Sequence, residues 1–353
     1  MTDDGFMTKD DGFRTTDDES AAELAAESTG RRLAIGVDIG GTKVLAGLVN
    51  ERGEVIARAR RPTPSRDPRA VERTIAEVVK ELSASPKISD GQEISGVGIG
   101  AAGFVDADRA KVLFAPHLAW RNEPLRDGVT AAVGLPVIVE NDANAAAWAE
   151  WRFGAGRQES RLVCVTLGTG IGGGIVLDGV VQRGRWGMAG EFGHMVVVPD
   201  GRRCECGNRG CLEQYASGNV LGREARELAA AGSPVTMALV ERVGGDHSAL
   251  VGPLITQAAR EGDAAAIELF EEVGRWLGIG LANLAAALDP GMFVIGGGVS
   301  DAGELLLAPA RESFRKTLTG RGFRPMPQIL KAALGPEAGL VGAADLAREQ
   351  SRK

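Results

Sequence analysis

Three times along this chain an apolar run of strand character ends in a cluster of glycines: Asp38 to Lys43 (DIGGTK), Gly168 to Gly174 (GTGIGGG) and Gly296 to Ser300 (GGGVS). Turns without a β-carbon let backbone N–H groups approach a phosphate or a nucleotide base. The first two clusters are each followed by a second apolar run, KVLAGLVN and IVLDGVV, which places the glycines in the turn of a β-hairpin. Between these units the apolar spacing becomes helical. Ala70 to Leu82 fits a helix, LPVIVEND reads as a strand that opens into the alanine-rich helix ANAAAWAEWRFG stopped by Gly154, and longer helices follow around 219–231, 254–260 and 264–288. MFVIGGGVS reads as the last strand, ahead of a helix that starts near Glu304. Strands alternating with helices predict an α/β architecture, and the repeated hairpin-glycine unit predicts a duplicated core.

Two nucleotide-binding signatures are excluded by context. Gly168, Gly170 and Gly173 satisfy G-x-G-x-x-G, but that fingerprint requires a helix to start at the glycines, and here a strand continues. No G-x-x-x-x-G-K-[ST] segment occurs, so the chain has no P-loop.

A second constraint lies between His194 and Glu213, in HMVVVPDGRRCECGNRGCLE. Three of the four cysteines, Cys204, Cys206 and Cys211, stand there beside one of only three histidines. Three thiolates and one imidazole make a closed tetrahedral zinc site, and a closed site has no coordination position left to activate water. The metal is therefore expected to be structural Zn2+ on His194, Cys204, Cys206 and Cys211, ordering a loop whose glycines and arginines offer no apolar core. His117 and His247 have no such neighbours and are expected at the surface.

The length of 353 residues accommodates two domains. The net charge of −7 belongs to residues 1–30, which carry nine acidic and two basic side chains and read as a disordered acidic tail. After residue 30 the chain balances 38 acids against 38 bases, so no global positive field exists to hold nucleic acid. The start lacks a basic segment followed by an apolar one, and no run approaches the roughly 18 apolar residues of a membrane span, so neither membrane nor export is expected. A cytoplasmic location follows, in keeping with thiols that are metal-bound rather than paired as disulfides.

Taken together with VENDANAAAWAE at 139–150, GEFGH at 190–194 and CECGNRGCLE at 204–213, the three glycine loops resemble the ROK family of sugar kinases. The similarity runs from about Ile35 to Ala347, and GAAGFVD, ENDANAAAW, LGTGIGGG and LEQYASG resemble most the glucokinase branch of the actinobacteria. The resemblance implies the actin-like ATPase (ribonuclease H-like) fold, with an active-site cleft between two α/β domains: a small one of residues 31–146 plus 338–353, and a large one of 147–337 bearing the zinc loop. It implies transfer of the γ-phosphoryl group of ATP, with Mg2+, to the 6-hydroxyl of glucose. Kinase activity on mannose, fructose or N-acetylmannosamine is the alternative, followed by a sugar-sensing regulator without catalysis. A regulator that binds DNA would need a helix-turn-helix ahead of the first strand, and only the acidic tail stands there. The family resemblance also implies a homodimer or homotetramer.

Site residues follow from the same resemblance. Asp142 falls at the catalytic base, and its position after an apolar strand also suits a helix cap, as does that of Asn144. Gly103, Asn141, Asp142, Glu191, His194 and Glu213 fall at sugar contacts. If a metal holds one ring nitrogen of His194, the other is an oriented donor, aimed at the sugar or at a backbone carbonyl. Asp38, Gly40, Gly41, Thr42 and Lys43, with Thr169 and Gly170, match the two phosphate-contacting segments. Asp38 is expected to orient Mg2+ through water, and Lys43 either to reach a phosphate or to be a solvated loop cation. Gly297, Gly298 and Val299 match the wall against adenosine.

Overall fold

The computed structural model describes residues 32–116 and 118–351; the acidic segment 1–30 and His117, on which two of the expectations above fall, lie outside them. Two five-stranded sheets carry the structure. In the first the order is β3-β2-β1-β4-β8, from β1 (Arg32–Ile39), β2 (Lys43–Val49), β3 (Val55–Pro62), β4 (Glu93–Ala101) and β8 (Val137–Asn141). In the second it is β11-β10-β9-β12-β13, from β9 (Arg161–Leu167), β10 (Ile171–Leu177), β11 (Val180–Val181), β12 (Met292–Gly296) and β13 (Gln328–Lys331). Each sheet is a glycine-turn hairpin extended by one antiparallel strand on one side and two parallel strands on the other. The duplicated core expected from the glycine units is thus present strand for strand.

Two sheet elements differ from the sequence reading. MFVIG is not the last strand, because β13 pairs in parallel with it. QILK is too short to announce itself by alternation, and the residue it pairs with lies more than thirty positions earlier. A small antiparallel sheet of β5 (Phe104–Val105), β6 (Val112–Phe114) and β7 (Arg121–Glu123) also follows β4.

The helices match their signals closely. α1 (Pro68–Ser83) has Asp67 as N-cap, accepting from Ala70 N, and proline at its start, and it buries Val71, Ile75, Val78, Val79 and Leu82 on one face. After α2 (Leu125–Val133), α3 (Asp142–Arg152) leaves β8 directly. The later helices are α4 (Glu213–Ala216), α5 (Gly218–Ala230), α6 (Met237–Arg242), α7 (Gly252–Arg260), α8 (Ala264–Leu288), α9 (Glu304–Thr317) and α10 (Ala338–Gln350).

α3 and α10 pack on each other between the sheets. Alanines along α3 let α10 approach closely, and Ala146, Ala149, Leu340, Val341 and Ala344 form one apolar cluster with Ala34 and Val49 of the first sheet. A neighbouring cluster joins Ala147 and Trp148 to Cys164, Val176 and Val294 of the second sheet, and burial pushes the Cys164 thiol well above its usual range. This fourth cysteine is core. A buried polar lock runs through the same layer: Trp148 Nε1 donates to Asp345 Oδ2 at 2.9 Å, and Arg348 binds Asp345 Oδ1 at 2.6 Å and the Val49 carbonyl at 2.8 Å. Among the described residues no helix is long and apolar enough to cross a membrane.

Candidate active site

The parallel strands of the first sheet end side by side, with Asp38 opposite Gly100 and Ala101 opposite Asn141. Ligands of open α/β sheets bind outside these carboxyl ends. A β-carbon at Gly100 would stand 3.6 Å from Asp142 Cα and 3.8 Å from Asp38 Oδ1, so this glycine floors the space between the two carboxylates. Burial pushes Asp142 up to about 6, against the lowering effect of the Ala143 N–H that donates to its Oδ1 at 2.9 Å. Burial, and then the nearby Asp142, pushes Asp38 up to about 7, while Lys43 pulls it down. Carboxylates poised near neutrality in a cleft mark a candidate proton-transfer site.

The cap of α3 is Asn141, not Asp142 or Asn144. Its Oδ1 accepts from Asn144 N at 3.0 Å and its Nδ2 donates to the Gly103 carbonyl at 3.1 Å. Asp142 is thereby released from the capping role, and Asn141 ties the expected sugar contacts Gly103 and Asp142 to one geometry.

Behind them lies a group that sequence reasoning missed. The Glu140 side chain is fully buried and receives Arg109 Nε at 2.9 Å, Arg183 Nε at 3.0 Å, Asn141 N at 2.9 Å and Asn144 Nδ2 at 3.2 Å. Arg183 also binds the Asp106 and Ala107 carbonyls, each at 2.8 Å, and its own carbonyl accepts Ala189 N, two residues before Glu191. One buried carboxylate therefore joins the loop after Gly103, the end of β8 and the approach to Glu191. Removing one member of a buried ion pair costs about 3–5 kcal/mol because the partner charges are left uncompensated. Glu140→Ala is accordingly expected to lower unfolding stability by about that much in urea titration. Arg183→Ala is expected to cost less, since Arg109 still neutralises Glu140.

Glu191, His194 and Glu213 gather near Asp142. Burial raises the Glu191 carboxyl, His194 opposes it, and Asp142 and Glu213 add to it, which places all four within electrostatic reach. His194 Nε2 stands 3.9 Å from Glu191 Oε2, while Nδ1 faces Cys204 Sγ at 3.7 Å. Cys206 Sγ is 3.6 Å from Cys211 Sγ, and the four donor atoms of His194, Cys204, Cys206 and Cys211 lie within 4.8 Å of one another. With metal–ligand distances of about 2.0–2.3 Å, tetrahedral donors stand roughly 3.3–3.8 Å apart, the spacing of the His194–Cys204 and Cys206–Cys211 pairs, so these four residues could hold one metal ion. The imidazole thus turns Nδ1 toward the cysteines and Nε2 toward Glu191.

Two glycine loops of the second sheet border a cavity of their own. Gly168, Thr169, Gly298 and Val299 line a cavity of about 900 Å³ with Asn219, Gln257 and others from α5 and α7. Asn219 and Gln257 carried no recognisable sequence signal. Gly297, whose φ of 79° favours glycine, turns the chain out of β12. Thr42 and Lys43 do not line this cavity; they border a separate groove of about 360 Å³ with Arg60, Arg61 and Pro62. Gly40 and Gly41 complete the β1–β2 turn, in which Gly40 N donates to the Lys43 carbonyl.

The sequence model of the ROK family matches residues 34–350. The glucokinase of Streptomyces coelicolor is 49% identical over 317 residues, 90% of this chain and 98% of that one. A ROK family glucokinase from Streptomyces griseus, crystallised in complex with glucose and AMPPNP, shares the fold at a TM-score of 0.81 and 51% identity, covering 90% of this chain and 99% of that one. The xylose repressor of Caldicellulosiruptor bescii is 35% identical over 291 residues, 82% of this chain and 70% of the repressor. This chain belongs to the ROK family.

Proposed function

We propose that this protein is an ATP-dependent glucokinase in which Asp142 takes the proton from the 6-hydroxyl of glucose as that oxygen attacks the γ-phosphorus of ATP. The observation that carries the reading is the convergence of Asp142, Glu191, His194 and Glu213 beside the glycine loop that begins at Gly168. Its similarity to the Streptomyces glucokinases, which extends over nearly their whole length, supports the same substrate.

Phosphoryl transfer asks the protein for position, charge stabilisation and a proton acceptor. Glu191 and Glu213 accept from sugar hydroxyls, His194 donates through Nε2, and Asn141 with Gly103 fixes the edge where the 6-hydroxyl meets Asp142. The O–P bond forms as the bond to the ADP oxygen breaks; the hydroxyl proton ends on Asp142 and leaves with water after product release. Asp38 would hold Mg2+, which would supply charge neutralisation at the phosphates; Thr42 and Lys43 from one loop and Thr169 and Gly170 from the other would contact the phosphates, and Gly297, Gly298 and Val299 the adenosine. The metal on His194, Cys204, Cys206 and Cys211 is assigned as Zn2+ from its three-thiolate, one-imidazole donor set; when bound it supplies folding free energy and a fixed imidazole. Each sheet lies within one of two units, residues 31–146 with 338–353 and residues 147–337, which supports a two-domain division with α3 as the continuous link. An ATP-dependent enzyme with reduced, metal-ready thiols belongs in the cytoplasm.

The acidic limb of the pH profile follows from the raised Asp142 carboxyl. A base with its pKa near 6 is protonated and inactive below that value, so kcat/KM for glucose is expected to fall about tenfold per unit below pH 6 and to level off above about pH 7. A rate flat down to pH 4.5 would contradict this assignment. The reading itself is tested with a panel of sugars and donors: kcat/KM is expected to be highest for glucose with MgATP. A higher value for mannose, fructose or N-acetylmannosamine, or for polyphosphate as donor, would replace that part of the assignment.

A further inference from the structure

We propose that Glu213 makes sugar and nucleotide binding mutually dependent, one carboxylate oxygen serving the sugar and the other holding the phosphate loop; the proposal rests on the kinase reading above. Glu213 Oε2 accepts the backbone N–H of Ile171 at 2.8 Å, across 42 positions of sequence. A β-carbon at Gly170 would stand only 2.2 Å from that same oxygen, so the carboxylate lies directly against the turn. The other end of the turn is held from the same segment, because Gly218 N donates to the Gly168 carbonyl at 2.8 Å. Gly168 N in turn donates to the Gly170 carbonyl at 2.9 Å. Residues 213 and 218, two and seven positions after Cys211, thus hold the Ile171 N–H and the Gly168 carbonyl at the two ends of the turn.

Glu213 Oε1 has no hydrogen bond to the described residues, and the charge of Glu213 reaches Glu191 in the sugar cleft. A sugar hydroxyl donating to Oε1 therefore fixes the rotamer that presents Oε2 to Ile171, and an ordered loop presents Oε1 to the sugar. Such coupling is reciprocal, and typical values are about 5-fold to 150-fold in affinity.

The test is calorimetric titration of the full-length, metal-loaded protein with Mg2+ and a non-hydrolysable ATP analogue, with and without saturating glucose. Wild type is expected to bind the analogue at least about 5-fold more tightly with glucose present. Glu213→Asp keeps the charge but is one methylene too short to serve both partners, so the ratio should drop to about one even where glucose still saturates. Gly170→Ala, which leaves Glu213 intact and pushes Oε2 off the loop, should do the same and covers the case in which the aspartate variant fails to fold. Glu191→Gln should weaken glucose and leave the ratio near the wild-type value. A carboxylate that only braced the loop would lower both affinities in Glu213→Asp without changing their ratio, and that result overturns the proposal. So does a wild-type ratio of one in protein that phosphorylates glucose, which leaves the kinase reading standing. Wild-type protein that neither binds nor phosphorylates glucose removes the kinase reading and this proposal together.

Discussion

Asp142→Asn is expected to lower kcat about a hundredfold to ten-thousandfold, the usual range for loss of a general base. Asparagine can still accept the Ala143 N–H at Oδ1 and occupies the same volume, so α3 should start as before. What disappears is the capacity to take a proton. Glucose affinity should change much less, since Glu191, His194 and Glu213 remain, and a loss in kcat without a matching rise in KM is the pattern of an interaction made mainly in the transition state. The charge that helps hold Asp38 up also disappears, so Asp38 should titrate lower in the variant. A variant that keeps half of the wild-type kcat would take Asp142 out of the proton transfer.

Cys206→Ser is expected to reduce metal content from about one Zn2+ per chain to near none and to weaken glucose binding by roughly 10-fold or more, as losses around metal-held histidines do. The effect passes through two connections. Nδ1 of His194 would lose the ion that fixes the ring whose Nε2 faces Glu191, and the segment from Cys211 to Gly218 would lose its anchor. Structural zinc also contributes to folding, and each kcal/mol lost lowers Tm by about 2–4 °C in a unit of this size. Elemental analysis beside glucose titration, at a temperature where the variant stays folded, separates the two losses. A zinc-free variant with unchanged glucose affinity would confine the metal to scaffolding.

The parts of this site legible in the sequence are those carried by local pattern. Glycine turns after apolar runs marked both hairpins, the spacing of Cys204, Cys206 and Cys211 marked the cluster they form with His194, and END at the end of an apolar run marked the junction of β8 and α3. What stayed hidden depends on pairings distant in sequence. Glu140 meets Arg183 across 43 positions and Arg109 across 31, and its place in an apolar strand gives no sign that two guanidiniums will neutralise it. The bond from Ile171 to Glu213 is equally non-local. Even the helix cap went to Asn141 rather than its neighbours, because the choice among Asn141, Asp142 and Asn144 depends on where β8 releases the chain.

The defining reaction proposed for this protein is transfer of the γ-phosphoryl group of ATP to the 6-hydroxyl of glucose. Phosphorus NMR of the purified protein with glucose and MgATP reads both halves of that reaction at once. Glucose 6-phosphate and ADP are expected in equal amounts, with inorganic phosphate at background. ADP accompanied by inorganic phosphate alone, a phosphoester on another sugar hydroxyl, or no conversion of ATP at all would contradict it.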